Sequence, residues 1–463
     1  MNPQNSPGPV FEVNPQSAIG PVISRFRWVI CALLFFSTTV NYLDRQVISY
    51  LKEFFCTPAA TGGFGWTNAQ FSYLTASFTG VYAAATIFAG WFIDRIGTKL
   101  GLALSLITWS FFGIVNAFVG SLIWLHVAVR SLFAVGEAGN FPASIKTVAE
   151  WFPKRERALA TAIFNAGSNG GAMMAALFVP TCVGWFGVQQ GWKWAFIITG
   201  AGGLLWLVFW FWLYDPPNKH RSLSKAEYDY IHIDDETPTD AQTGDKAANV
   251  SWAKLFKYRQ LWAFFTGKFM TDGIWWFYLF WLPDYLIKQF GVRPEQVRIP
   301  TFIIYGVAII GSIYGSSIPL TLIKRGMTVY KARMTTMFII ALFPLAVLTT
   351  QYFGNKDHFG QWAEILAIAT ICIGCTAHQA WSANLFTTVS DMFPKKTVAS
   401  VTGIGTMAGG IGGVIVQIVQ GQLRDHIPKV AYLIMFIICA LSYLVAWTIM
   451  KALVPRHKPI TDL

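Results

Sequence analysis

Long runs of hydrophobic residues, separated by short polar segments, dominate the chain. Runs with few interior charges lie near residues 27–50, 70–93, 100–119, 121–148, 158–182, 191–213, 260–288, 298–322, 333–352, 362–390, 398–420 and 430–453. Each run provides about the 20 residues that an α-helix needs to cross roughly 30 Å of hydrocarbon. The pattern therefore predicts an all-α integral membrane protein with twelve transmembrane helices.

The one long polar stretch lies near the middle of the chain and divides these helices into two sets of six. We expect a cytoplasmic linker at residues 214–258, between an N-terminal half at 25–213 and a C-terminal half at 259–453. Residues 1–24 and 454–463 are predicted to be cytoplasmic tails, the first disordered and without a signal-peptide pattern. On this topology 23 of the 35 Lys and Arg residues lie on the side of both termini, and the positive-inside rule makes that side cytoplasmic.

The composition agrees with a membrane protein and narrows its function. Hydrophobic residues make up 54% of the 463 positions and charged residues only 13%, which is unusual for a soluble domain. A net charge of +12 would be compatible with binding to nucleic acid. The basic residues are concentrated on one side of the predicted membrane domain, however, which is typical of cytoplasmic loops. Because no nucleophile triad, phosphate loop or metal cluster is evident, we expect neither an enzyme nor a bound cofactor or metal.

A repeat relates the two halves. The stretch "EWFPKRERALATAIFNAGSNGG", which begins at Glu150, is echoed 241 positions later by "DMFPKKTVASVTGIGTMAGGIGG", which begins at Asp391. Parallel halves are a transporter architecture with a substrate site near the midplane between them. The same offset relates Glu137 to His378, so we expect both side chains to face a shared cavity.

Charged residues within the predicted helices are candidates for function, because each charge in a membrane costs about 2.5 to 3.5 kcal/mol and is usually functional, and six of them stand out in helices one, four and seven. They are Asp44, Arg45, Arg130, Glu137, Lys268 and Asp272. A spacing of seven places Arg130 and Glu137 on one face of helix four, about 10 Å apart. Lys268 and Asp272 are four residues apart and share a face of helix seven, where they form either part of the binding site or a self-contained structural pair. His378 is open to three interpretations: substrate contact, proton relay or a bond within helix ten.

The loop between helices two and three, "GWFIDRIGTKLG", closely resembles the signature loop of the major facilitator superfamily. Its motif residues are Gly90, Asp94, Arg95, Gly97 and Lys99. The resemblance implies twelve helices in two pseudo-symmetric halves that alternate access to a central site. Glycine permits a tight turn and the charges can pair differently as helices slide, so we expect this loop to take part in gating.

Other motifs resemble the anion:cation symporter family of that superfamily, and most of all its hexuronate transporters. These motifs are "NYLDR", the arginine seven residues before "GEAGNFPA", "EWFPKRERA" and "AHQAWSANLFTTVSDMFPKK". The resemblance implies uptake of glucuronate or galacturonate with protons, with no other cofactor. It assigns proton titration to Asp44 and Glu137, binding of the substrate carboxylate to Arg45, and a partner role to Arg130.

The remaining candidates for substrate binding are polar or aromatic residues expected to line the cavity. They are Asn140, Lys268, His378 and Gln379, together with Tyr42, Tyr82, Trp381 and Asn384, which the resemblance assigns to the lining of the sugar-acid cavity. We expect a protein of the bacterial inner membrane that functions as a monomer, with the lipid bilayer and a small organic anion as partners. Two alternatives stay open at this point: a symporter of another anion, such as galactonate, tartrate or an aromatic carboxylate, and a non-transporting membrane sensor.

Overall fold

The structure, a computed structural model, describes residues 25–233, 252–456 and 460. The expected N-terminal tail and the centre of the expected linker lie outside these residues. The described chain forms twelve long helical units: α1 Phe26–Tyr50, α2 Asn68–Ile96, α3 Thr98–Val115, α4 in two segments Ile123–Glu137 and Asn140–Trp151, α5 Lys154–Phe186, α6 Val188–Leu213, α7 Arg259–Phe290, α8 Arg298–Lys324, α9 Val329–Leu342, α10 Ala363–Met392, α11 Lys395–His426 and α12 Ala431–Leu453. The twelve-helix fold predicted from hydrophobicity is confirmed.

Ten of these units are long and apolar enough to cross a membrane by length and composition. The two others are α4, which is interrupted at residues 138–139, and α7, which contains Lys268, Asp272 and Asp284. These are helices in which the sequence predicts functional charges.

The repeated "FP" dipeptide occupies the same structural position in each half. Phe152 ends α4 and Pro153 precedes α5, and likewise Phe393 ends α10 and Pro394 precedes α11. Both prolines have extended backbone, with ψ values of 153° and 145°. Proline has no amide hydrogen to donate to the preceding helix and fixes φ for the next one, so it separates two helices with a sharp turn. The duplication therefore places equivalent junctions in both halves.

The halves meet along three helix pairs: α1 with α7, α2 with α11, and α5 with α8. We call the end of the bundle where α1 begins and α12 ends the terminal face, and the opposite end the distal face. On α11, Gly413 lets α2 and α7 approach closely, because a Cβ atom there would lie 2.8 Å from the Thr79 side chain and 2.7 Å from Trp276. The two halves are therefore in close contact at this level of the seam.

Candidate functional site

The centre of the N-terminal half contains a buried ion pair between α1 and α4. Arg45 donates from Nε to Oε2 of Glu137 at 3.0 Å, and the exposed fractions of the two side chains are 2% and 0%. Arg45 also donates from Nη2 to Oδ1 of Asn41, one helical turn earlier, at 3.3 Å. An arginine held in this way presents a fixed planar fork rather than a mobile charge.

Four aromatic rings surround the Arg45 guanidinium. Its central carbon lies 4.3 Å from the ring centre of Tyr42, 4.7 Å from Tyr82 and 5.4 Å from both Phe78 and Trp276. Trp276 belongs to α7, so the C-terminal half completes this enclosure. Cation–π contacts of this kind stabilise a desolvated cation and fix its orientation. The structure thus brings Arg45, Tyr42 and Tyr82 together, as the sequence predicts.

Asp44 faces away from Arg45, into the interior of the N-terminal half. Its Oδ2 atom accepts a hydrogen bond from Trp109 Nε1 on α3 at 3.2 Å, and Oδ1 has no hydrogen-bond partner. The two neighbours point in different directions because consecutive helical residues are about 100° apart. Among the described residues Asp44 forms no ion pair. Its buried carboxyl therefore lacks the cation that Glu137 has.

Arg130 lies beside both acids without pairing with either of them. It donates from Nη2 to the backbone carbonyl of Arg45 at 2.6 Å, whereas Nη1 has no partner and is buried. Its guanidinium carbon lies 4.2 Å from the ring centre of Phe133. Glu137 Oε1 is also buried and without a partner. Buried polar atoms are nearly always hydrogen-bonded, so Arg130 Nη1 and Glu137 Oε1 are candidates for contact with a further polar group.

Asn140 joins two helices of the same half instead of facing an open cavity. Its Oδ1 accepts from Ser37 at 2.7 Å, and its Nδ2 donates to Thr38 Oγ1 at 3.4 Å. Only 3% of the residue is exposed. Asn140 therefore packs α4 against α1 in this conformation, and a contact with substrate stays a prediction.

Lys268 and Asp272 form the expected pair on α7. Lys268 Nζ lies 2.5 Å from Asp272 Oδ2 and 4.5 Å from the ring centre of Phe386. The Asp272 carboxylate fits against α11 because residue 409 is glycine, where a Cβ atom would lie only 2.2 Å from Oδ2. Asp272 keeps 19% of its side chain exposed, against 7% for Lys268. The two side chains pair with each other in this conformation, and a role for Lys268 in substrate binding stays a prediction.

His378 packs inside the C-terminal half, against α7. Its Nδ1 is 2.8 Å from the Tyr443 hydroxyl, and its ring stacks on Trp275 with centroids 5.0 Å apart. The next residue, Gln379, lies between the halves, with Nε2 3.5 Å from Oδ1 of Asn169 on α5. The histidine therefore has partners of its own, while Gln379 reaches the central seam.

Trp381 and Asn384 are buried in α10 and keep unused polar atoms. Asn384 donates from Nδ2 to the carbonyls of Gly315 and Ala380 at 2.8 and 2.9 Å, and its Oδ1 has no partner. The Trp381 indole nitrogen is also buried without a partner, and its ring contacts Tyr443 edge-on at 5.5 Å. Both residues offer hydrogen-bonding capacity that the protein itself does not use.

A charged cluster at the distal face was not predicted from the sequence. Lys52, just beyond α1, lies 2.7 Å from Oδ1 of Asp284 on α7, with side-chain exposures of 2% and 0%. The Tyr432 hydroxyl donates to Oδ2 of the same carboxylate, and Arg424 Nε is 3.7 Å away from that oxygen. Lys52 and Asp284 come from different halves, so this buried pair links the two halves. The only sign of this cluster in the sequence is Asp284 itself, an acidic residue that follows Pro283 inside an otherwise apolar stretch.

Two further contacts close the seam between α2 and α11. Asp425 accepts hydrogen bonds from the backbone amides of Asn68 and Ala69 at 2.9 and 2.7 Å, so a carboxylate of one half caps the first turn of a helix in the other. Deeper in the seam, Gln417 accepts from Thr75 at 3.0 Å and from Trp281 at 2.6 Å. Together with the Lys52–Asp284 pair, these contacts hold the distal face closed.

The signature loop lies at the terminal face and links neighbouring helices. Asp94 pairs with Lys146 of α4 at 2.8 Å, and Lys99 pairs with Asp215, beyond α6, at 2.7 Å. Gly97 has φ of 86° and joins the end of α2 to the start of α3, a conformation that favours glycine. A Cβ atom at Gly90 would contact nothing, and the Arg95 guanidinium lies over the Trp91 ring at 5.6 Å. Among the described residues no group of His, Cys, Asp and Glu could hold a metal ion.

Comparisons with known proteins agree with this architecture. The chain is 30% identical over 434 residues to the hexuronate transporter of Escherichia coli (strain K12), covering 93% of this chain and 95% of that protein. It is 27% identical over 439 residues to the D-galactonate transporter of Escherichia coli O6:H1, covering 93% and 97% of the two chains. The crystal structure of a D-xylose–proton symporter superposes with a TM-score of 0.71 at 14% identity, over 94% of this chain and 100% of that one, which shows the shared fold.

The family assignment rests on a match that spans most of the chain. The model of the Major Facilitator Superfamily matches residues 34–417, which include the signature loop, the Arg45–Glu137 pair and the Lys52–Asp284 pair. The resemblance to this superfamily and to its hexuronate transporters, which the sequence motifs predict, is confirmed. The chain belongs to the major facilitator superfamily.

Proposed function

We propose that this protein is a secondary active transporter that imports a sugar-acid anion, in particular a hexuronate such as glucuronate or galacturonate, together with protons. The observation that carries the proposal is Arg45, which is held by Glu137 and enclosed by rings from both halves. Relatives named for transport of hexuronate and of D-galactonate support the substrate class. The family and these relatives argue against an enzyme or a non-transporting sensor.

Recognition of a hexuronate calls for one cation and several hydrogen-bonding groups. Arg45 supplies a bidentate fork for the carboxylate, a geometry that a lysine cannot provide. The Tyr42 and Tyr82 rings that flank this fork offer apolar faces and hydroxyl groups to a sugar ring. On the other half, Gln379 and the unused atoms of Asn384 and Trp381 are the candidates for the sugar hydroxyls.

Coupling follows from the competition between Glu137 and the substrate for the same arginine. When Glu137 is ionised it occupies the Arg45 fork, as in this structure. A proton on Glu137 removes that negative charge and releases Arg45 to the substrate carboxylate. A charge left unpaired in the membrane is costly, so proton loading and substrate binding favour each other.

Asp44 supplies the second proton site of the proposal. It is buried without a cation, and a proton on its free Oδ1 would remove the cost of an unpaired charge. With both acids ionised, Arg45 and Arg130 balance Asp44 and Glu137, which suits return of the empty carrier. With both acids protonated, the two arginines receive the substrate anion with one positive charge in excess.

The topology of the proposal places both termini in the cytoplasm of a bacterial cell, because basic residues concentrate at the terminal face. The distal face is then periplasmic, and the Lys52–Asp284 pair closes the path to the outside in this conformation. We propose that the protein works as a monomer in the inner membrane, with protons as the coupling ion and no bound cofactor.

Uptake into proteoliposomes with an imposed pH gradient tests the proposal. The labelled substrates are glucuronate, galacturonate, galactonate and phthalate, each at the same concentration, with empty liposomes as the control. We expect the two hexuronates to accumulate and to compete with each other. Accumulation of galactonate or phthalate in preference to the hexuronates would assign a different anion, and no pH-driven uptake of any of the four would overturn the proposed function.

A further inference from the structure

A cavity of about 380 Å³ opens at the terminal face between α9 and α12, away from the central site. Its volume lies within the range of small-molecule binding sites. Lys331 at the start of α9 and Lys451 and Arg456 at the end of α12 contribute positive charge to its lining, and no acidic residue is among the described residues that line it. This cavity plays no part in the proposed transport chemistry.

Within the described part of the chain, no acidic side chain pairs with the positive charges of the cavity. Lys331 and Arg456 are exposed, and neither they nor Lys451 form an ion pair with any residue that the structure describes. The neighbouring Arg333, by contrast, is paired with Asp391 at 2.8 Å. Among the described residues, therefore, Arg333 has an acidic partner, whereas Lys331, Lys451 and Arg456 have none and can face an anion.

The position of Lys451 is fixed by the segment that follows α12. Its ammonium donates to the Pro455 carbonyl at 2.9 Å and lies 4.7 Å from the ring centre of Tyr330. The Tyr330 hydroxyl in turn donates to the Val454 carbonyl. These contacts order the rim of the cavity, so one of its three cations is held in place before any ligand arrives.

One wall of the cavity is apolar and faces the side of the helix bundle. The Trp447 indole donates to the Met334 carbonyl at 2.9 Å, and its ring contacts Phe338 at 4.7 Å. Phe338 remains 38% exposed. Aromatic side chains next to lysine and arginine at a helix end are typical of the boundary between lipid headgroups and acyl chains.

We propose that this cavity binds the headgroup of an anionic phospholipid, with the phosphate among Lys331, Lys451 and Arg456 and the upper acyl chain along Phe338 and Trp447. A zwitterionic headgroup would bring its own ammonium group next to three cations, so the cavity should discriminate by charge. A free sugar phosphate or inorganic phosphate would leave the exposed apolar wall uncovered, which favours a lipid as the occupant.

Native mass spectrometry of the full-length protein in non-ionic detergent tests this site. Phosphatidylglycerol and phosphatidylcholine of the same acyl composition are titrated into the wild type and into a triple variant, Lys331→Gln with Lys451→Gln and Arg456→Gln. We expect the wild type to bind phosphatidylglycerol at least tenfold more tightly than phosphatidylcholine. Each cation removed should weaken phosphatidylglycerol binding about fivefold, and phosphatidylcholine binding should not change.

The matched control is Lys257→Gln with Lys324→Gln and Arg325→Gln, which removes the same charge from exposed positions at the same face, outside the cavity. It should retain the affinity of the wild type for phosphatidylglycerol. Equal losses in both triple variants, or equal binding of the two lipids, would overturn the proposal. So would displacement of phosphatidylglycerol by millimolar glycerol 3-phosphate, which would indicate a site for soluble phosphates. If the triple variant does not purify, Lys331→Gln alone carries the test, since its side chain is exposed.

Discussion

At the scale of single residues, substrate recognition depends on the planar fork of Arg45. Lysine at this position keeps the charge but cannot hold Glu137 and Asn41 with separate nitrogen atoms while it stacks between Tyr42 and Tyr82. We predict that Arg45→Lys lowers hexuronate affinity at least tenfold, because a charge-assisted hydrogen bond contributes about 1.5 to 3 kcal/mol. Equilibrium binding of labelled glucuronate to purified protein measures this affinity.

The matched control for this variant is Arg293→Lys, which makes the same change in the turn after α7, outside the central site. It should bind glucuronate like the wild type. Near-normal glucuronate affinity of the Arg45→Lys protein, at equal amounts of folded protein, would contradict a role of Arg45 in substrate binding.

The amino-acid sequence identifies the central charged residues but not their pairing. Charges within a lipid-embedded helix are rare, so Asp44, Arg45, Arg130 and Glu137 stand out among the apolar residues around them. Which acid faces which arginine depends on the rotation and approach of α1 and α4, and hydrophobicity does not determine either. Arg130 illustrates the difference, because it shares a face with Glu137 as predicted but bonds to the backbone of Arg45.

At the scale of helices, the distal ends of α1, α2, α7 and α11 form a closed gate. The Lys52–Asp284 pair is the buried ion pair of this gate. Removal of one partner leaves the other charge buried and uncompensated, which typically costs about 3 to 5 kcal/mol. We predict that Asp284→Asn shifts the protein toward a conformation that is open at the distal face. A cysteine introduced at Ser72, which is buried against Gly421, should then react at least tenfold faster with a membrane-impermeant maleimide in an otherwise cysteine-free background.

The control for the gate is Glu53→Gln, which removes a second inter-half pair, with Lys288, at the same face. That pair is 29% and 43% exposed, and exposed pairs contribute little to stability. The labelling rate of the Ser72 cysteine should therefore stay close to that of the parent protein. If Asp284→Asn leaves the rate unchanged as well, the buried pair does not hold the gate closed.

Helix ends are where the sequence is least informative. The hydrophobic run that predicts α11 stops near residue 420, whereas the helix continues to His426, and its last turn carries Asp425, which caps α2 across the seam. The Lys52–Asp284 pair is not predictable for a related reason. Charges near a helix end are inexpensive and common, so only the tertiary structure shows that these two are buried together.

At the scale of the whole molecule, the charge balance of the central site sets how transport responds to voltage. Two protons with one hexuronate anion carry one net positive charge, which is worth about 2.3 kcal/mol per 100 mV, or roughly a fiftyfold gain in accumulation. We predict that an inside-negative potassium diffusion potential increases uptake by the wild type. Asp44→Asn removes one of the two proton sites, so its remaining uptake should follow the pH gradient alone. If wild-type uptake does not change with the membrane potential, transport is coupled to one proton per anion and not to two.

The overall fold is predictable from the sequence because the lipid bilayer allows few backbone structures. Every backbone polar group in hydrocarbon needs an internal partner, so each apolar run of about 20 residues becomes a helix, and the repeated "FP" junction reveals the two halves. The conformational state is not predictable in the same way. It depends on a few contacts between the halves, such as the hydrogen bond from Thr75 to Gln417, which hydrophobicity does not reveal.

The most direct test of proton-coupled transport compares accumulation with exchange in the Glu137→Gln protein. Glutamine imitates the protonated acid but cannot release a proton, so Arg45 stays available to substrate whether or not Asp44 carries a proton. The competition for Arg45 that couples substrate to protons is therefore lost, although Asp44 can still titrate. In proteoliposomes with an inside-alkaline pH gradient and the membrane potential clamped at zero, we predict that the wild type concentrates labelled glucuronate, whereas Glu137→Gln only equilibrates it. In counterflow, with unlabelled glucuronate inside and no gradient, we expect both proteins to exchange the label. A Glu137→Gln protein that still concentrates glucuronate when only the pH difference is supplied would contradict the coupling role of Glu137.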